Sequence, residues 1–189
     1  MPALTSLFSL LLSLSLSSKL ISFYASLTEP TSSTKVFDLV RPKDTFLWNS
    51  IIKAHFSNGD YFKALNFFSQ MRGTDLGPDQ FTLPMVVASC AELMLLDHGM
   101  NVHGLASKLG LFPCNSALGS SFVYMYSKCG RMGDASVVFD EITDRDVTTG
   151  DGDERPELKL ESTLSSASAM VVNMSAGVVG ACSARATIA

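Results

Sequence analysis

Three histidines and four cysteines are the residues of this 189-residue chain best suited to metal or nucleophilic chemistry. His55, His98 and His103 stand in AHFSN, DHGM and VHGL, and none is followed two places on by a glutamate. A zinc deaminase needs that glutamate to move protons and paired cysteines to complete the metal shell. Cys90, Cys114, Cys129 and Cys182 supply no CxxC pair and no regular spacing. His98 and His103 are five apart, a separation at which two helical side chains do not share a face well. The pattern assigns the histidines to packing or surface roles and the cysteines to reduced thiols rather than a disulfide framework. No catalytic residue, metal or cofactor is expected, and the chain reads as a binding protein rather than an enzyme.

With 47% apolar and 17% charged residues, the composition supports one domain with a core of ordinary size. The formal net charge is −4, so bulk charge announces no polyanionic partner. Any nucleic-acid contact must come from local arrangement.

The elements that would position a binding surface are helices. Ile51, Ile52, Ala54, His55 and Phe56 carry a helical period that stops at Ser57-Asn58-Gly59-Asp60. Phe62, Ala64, Leu65, Phe67, Phe68 and Met71 carry a second, ending at Gly73 and Gly77-Pro78-Asp79, where glycine can take a positive φ and proline cannot continue the helix. Two helices with so short a turn make an αα-hairpin. The same pattern gives a second pair over 81–92 and 97–109, and a third over 117–128 and 132–142. A hairpin of this size cannot bury its apolar face alone, so stacked neighbours must share a core. Trp48, Phe67, Phe68 and Phe139 are expected in that core. Val36 and Phe37 suit the second helix of a fourth, degenerate hairpin whose first helix is missing or absorbed into the preceding residues.

Residues 1–28 are nearly all Leu, Ser and other small or apolar types, with Lys19 as the one base and no acid before Glu29. This stretch reads as an address rather than core. A transit peptide is the preferred reading; a secretory signal is the rival, because LFSLLLSLSL at 7–16 resembles an apolar signal core. No membrane span is expected, since the apolar run falls well short of ~20 residues.

Two segments repeat each other: KVFDLVRPKD at 35–44 and VVFDEITDRD at 137–146. Between them, residues 45–79 (WNSII, NGD, ALNFFSQM) closely resemble a 35-residue pentatricopeptide repeat. Residues 80–115, with FTLP, the CA pair and VHG…KLG, resemble the long variant of the plant-specific subgroup. Residues 116–146, with MYSKCG and VFDEI-x-x-RD, resemble the short one. The echo then measures one cycle of ordinary, long and short repeats, and residues 29–44 are the degenerate tail of an earlier short repeat. The resemblance implies an all-α fold, a right-handed superhelical α-solenoid of stacked helix-turn-helix hairpins with disordered termini. Residues 147–189 lose the period and are expected to be a disordered, divergent tail.

The resemblance also implies a function. Each repeat of this family reads about one base of single-stranded RNA with two or three side chains. The matching positions are Asn49 with Asp79, which implies uracil, and Ser120 with Asp146, which leans to a purine. The long repeat offers Pro84 with Asn115 and reads little. Phe46 and Phe81, with Ala117, stand where residues flank the bases, and an aromatic there can stack. Helix capping explains Asn49 and Asp79 as well on spacing alone. The implied partners are organellar single-stranded RNA, in a mitochondrion or alternatively a chloroplast, and other editing or processing proteins. Residues 35–147 carry 10 Lys and Arg against 12 Asp and Glu, so the counterion-release drive is small and binding is expected to be weak. A helical scaffold for protein partners is the alternative function, and a non-functional truncated product is a third.

Overall fold

In a computed structural model, the described residues are 2–146, with side chains from 14 to 142, together with the single positions 165 and 169. The calls on residues 147–189 lie outside the described set. All regular structure among the described residues is helical, and it falls into two units, residues 1–78 and residues from 79 onward.

The first unit holds α1 (Pro2–Ser26), α2 (Pro30–Leu39), α3 (Thr45–Ser57) and α4 (Tyr61–Arg72). Asp44 starts α3 in an extended conformation (φ −107°, ψ 170°), and its carboxylate accepts the Leu47 N–H at 2.8 Å. This satisfies a donor the first turn leaves orphaned. Apolar residues spaced along α3 bury Leu47, Trp48, Ile51, Ile52 and Phe56. Full burial of each aliphatic contributes about 1.5–3 kcal/mol. α3 packs on α1, α2 and α4, and its His55 ring stacks on Phe67 of α4 at 5.1 Å. Phe37 of α2 closes the cluster, edge-on to Trp48 (4.8 Å) and to Phe67 (5.4 Å).

The second unit holds α5 (Thr82–Glu92), α6 (Leu96–Lys108), α7 (Ser116–Lys128) and α8 (Met132–Asp146). α5 packs on α6 and α7, and α7 on α8. α5 is buried on nearly every side, from Thr82 to Ala91. Glu92 ties it to α7, accepting from the Tyr124 hydroxyl at 2.6 Å and from Lys128 Nζ at 3.2 Å. Gly119 lets α8 lie close to α7, because a Cβ there would overlap the Ile142 side chain.

Four turns share one geometry. Thr28, Gly59, Met94 and Gly130 all have positive φ (58°, 77°, 53° and 73°) and join the two helices of a hairpin. In each, the next residue donates back to a carbonyl five places earlier: Glu29 to Tyr24, Asp60 to His55, Leu95 to Cys90, Arg131 to Tyr126. Gly110, after α6, takes the same conformation. These left-handed residues satisfy the last helical carbonyls as a Schellman-type end does. Gly73 does not: it ends α4 at φ −80°, and Gly77 is not left-handed either. The expectation of positive φ at those two glycines is corrected, because the exit from α4 continues as a turn in which Thr74 N–H reaches Met71 O at 3.0 Å.

The N-terminal stretch also contributes to the packing of the first unit. Its residues from Leu14 onward do not stand apart from the core. Leu14, Ser18, Ile21 and Ala25 are buried where α1 meets α2 and α3. Ser33 Oγ donates to Ile21 O at 2.9 Å, and Asn58 Nδ2 donates to Ala25 O at 3.0 Å. The first helix of the degenerate hairpin is thus present, and the residues that looked like a leader supply it. The spacing of the four turn residues, Thr28, Gly59, Met94 and Gly130, repeats the short, ordinary and long repeat lengths in order.

Candidate nucleic-acid interface

The helix starts that carry the predicted base-reading residues are built alike. Asp44 caps α3, Asp79 binds the start of α5, and Asn115 caps α7, with Leu118 N–H on its Oδ1 at 3.0 Å. Asp79 is the most engaged of the three. Its Oδ1 accepts from Phe81 N–H, Thr82 N–H and Thr82 Oγ1, each at 2.9 Å, and its own N–H donates to Thr82 Oγ1 at 3.2 Å. The last residue of one repeat therefore fixes the first turn of the next, and that bonding holds its carboxylate in one orientation. The capping role falls on the same residue as the expected base-reading role.

Phe46 and Phe81 sit in or beside those first turns and stay 65% and 63% exposed, apolar rings in water with room for a stacking partner. Asn49 lies one turn further along α3, half-buried, in the first unit; Asp79 belongs to the second. Ser120 is half-buried on α7, one turn after half-buried Ala117. Pro84 is buried in α5. Asp146 differs from Asp44 and Asp79: it is the last residue of α8, still helical, rather than in a turn, and its side chain lies outside the described set.

Two of the three histidines are embedded in packing. His55 is fully buried, with Thr34 Oγ1 at 2.9 Å from Nε2 and Asp60 Oδ2 at 3.3 Å from Nδ1. Burial holds its pKa below the ordinary value against the pull of Asp60. His103 lies against Phe122 (4.4 Å) and Phe112 (4.7 Å), with Tyr126 Oη at 3.0 Å, and burial lowers its pKa too. His98 is exposed. Among the described residues no cluster of His, Cys, Asp and Glu is disposed to hold a metal, and no helix is long and apolar enough to cross a membrane. Cys90, Cys114 and Cys129 are thiols, buried, exposed and half-buried in turn.

One group of residues escaped the sequence reading. Arg41 and Lys43 of RPKD, with Trp48, line a cleft at the top of α3; the adjacency of two bases to the Asp44 cap was its signal, overlooked because the segment served as a marker of register.

Comparison with known proteins places this architecture. The profile of the PPR repeat family matches residues 43–92, and that of the PPR repeat matches residues 120–147. The chain belongs to the pentatricopeptide repeat family. A pentatricopeptide repeat-containing protein of Arabidopsis thaliana is 39% identical over 134 residues, 70% of this chain and 15% of its own length. The crystal structure of the pentatricopeptide repeat protein PPR10 from maize superposes with a TM-score of 0.57 at 19% identity, over 79% of this chain and 20% of that one. The likeness shows the fold, an all-α helical-repeat solenoid. Further Arabidopsis thaliana relatives are named as chloroplastic and as mitochondrial. The chain spans a fifth or less of the length of these proteins.

Proposed function

We propose that this pentatricopeptide repeat chain binds single-stranded RNA in an organelle and contributes site recognition to transcript processing or editing. The observation that carries the reading is the repeated helix start: a capping acid or amide, an exposed aromatic at Phe46 and Phe81, and a polar residue one turn on at Asn49 and Ser120. An aromatic offers a face to a base for about 1–3 kcal/mol. An amide both donates and accepts, so Asn49 suits a pyrimidine edge. Asn49 with Asp79 selects uracil in this reading, and Ser120 with Asp146 a purine; the buried Pro84 leaves the repeat between them with little to say. Residues 1–28 are the organellar address in this reading, and their part from Leu14 onward also packs against α2 and α3. The relatives' names divide between chloroplast and mitochondrion, and the mitochondrion is our assignment.

The test compares binding of the full chain to single-stranded oligomers that differ at one base. Asn49→Ala and Asp79→Asn are the variants, the second keeping an oxygen to accept from Phe81 and Thr82. Loss or change of the uracil preference supports the pairing; unaltered affinity and preference in both variants rejects it.

A further inference from the structure

The cleft above α3 has a volume of about 530 Å³ and lies wholly within the first unit. Its wall includes Trp48, which is 5% exposed and whose indole Nε1–H has no hydrogen-bond acceptor. That nitrogen is itself closed off from solvent, so Trp48 serves the cleft as a wall and leaves the polar contacts to its neighbours. Two cations stand at the same cleft. Arg41 Nη1 and Lys43 Nζ donate to one oxygen, the carbonyl of Val40, at 3.0 and 3.1 Å. Sharing that acceptor, the two charged nitrogens are no further apart than the two bond lengths together. Neither takes part in the ion pairs found among the described residues, although Asp38 and Asp75 line the same cleft. Lys43 is further fixed over the Phe37 ring, 4.5 Å from its centre. Two positive charges are thus held side by side without a bound carboxylate among the described residues.

The donor inventory decides the ligand class. An arginine and a lysine can only donate, so the group they take must be rich in acceptors and negatively charged. That describes phosphate oxygens better than a base edge: a guanine edge also offers acceptors to such donors, but it is uncharged. The two aspartates decide between phosphates. A free phosphate carries between one and two charges near neutral pH, whereas a phosphodiester carries one, and acids at the rim penalise the greater charge more.

We infer that Arg41 and Lys43, walled by Trp48, form a subsite for one backbone phosphodiester of single-stranded RNA, in the same unit as Asn49. The inference rests on the RNA reading above and adds where the strand's backbone is held. Phosphate contacts fix register and carry no sequence information. The subsite therefore positions a strand whose base Asn49 inspects.

Trp48 is the sole tryptophan, so its emission reports on the cleft in the full chain. The experiment titrates the chain with single-stranded RNA oligomers and separately with inorganic phosphate, following tryptophan emission and oligomer affinity, with Arg41→Gln/Lys43→Gln as the variant. The result expected is a saturable change in Trp48 emission with RNA. In the variant, affinity should fall on the order of tenfold for every oligomer alike, and the slope of log affinity against log salt should become shallower by about 1. If RNA binds while the variant retains affinity and salt slope, the subsite is overturned and the RNA reading survives. If phosphate gives the saturable response, lost in the variant, and RNA gives none, the phosphodiester assignment and the RNA reading both fall. Silence with both probes overturns both as well.

Discussion

Gly59 and Met94 occupy the same left-handed turn in successive hairpins, and exchanging their chemistry should move stability in opposite directions. Left-handed backbone costs a residue with a Cβ about 1–2 kcal/mol. A glycine offsets part of that by the extra freedom it has when unfolded, about 0.4–1 kcal/mol. No atom lies within 4 Å of a Cβ built on Gly59, and Met94 is 68% exposed, so packing contributes little at either site. Gly59→Ala should therefore destabilise by about 1 kcal/mol, and Met94→Gly should stabilise by about 0.5–1 kcal/mol. In a chain of this size each kcal/mol moves the midpoint by about 2–4 °C. Thermal unfolding followed by helical circular dichroism measures both. Changes of the same sign would refute the claim that the two hairpins close on one turn, as would a Met94→Gly chain less stable than the parent by 1 kcal/mol or more.

Three further outcomes follow from the packing. Gly119→Ala should destabilise by about 1–3 kcal/mol in urea unfolding, because its methyl meets Ile142, and Ile142→Val in the same chain should recover part of the loss. His55 and His103 are held neutral by burial, so the unfolded chain protonates first. Their contribution to stability is complete above about pH 6.5 and declines as pH falls below it towards their lowered folded values, and His103→Gln should flatten that decline in urea midpoints measured between pH 7 and 5. Cys90, buried and with its thiol pushed up to about 12 by burial and by Cys129, should resist a thiol reagent at pH 8 that modifies exposed Cys114 within minutes; equal rates would contradict the packing.

Much of the fold was legible because each hairpin announces itself twice, by apolar period and by turn residues. The stop at Ser57-Asn58-Gly59-Asp60 needed only local chemistry. The turn at Met94 was not legible as left-handed, since nothing in a methionine declares positive φ; only its place in the repeat does. The packing role of α1 was not legible for a related reason. A helix rich in serine and leucine looks like an address when its partners are unknown, yet Ser18 is buried by donating to its own helix at Leu14 O (2.7 Å), so hydroxyls cost the core little. At the candidate interface, the positions of Phe46, Asn49 and Asp79 came from repeat register. The depth of Asp79's engagement with Phe81 and Thr82 required coordinates, as did the convergence of Arg41 and Lys43 on a single carbonyl.

The central claim is that this array of hairpins engages single-stranded RNA along its helix starts. Fluorescence anisotropy of a labelled single-stranded RNA carrying uracil, with the same sequence as a duplex for comparison, tests it most directly. The account predicts weak, saturable binding to the single strand, a shallow salt dependence in keeping with the near-neutral charge of residues 35–147, and little binding to the duplex, whose stacked bases Phe46 and Phe81 cannot reach. Equal binding to strand and duplex, or none to either, would contradict it.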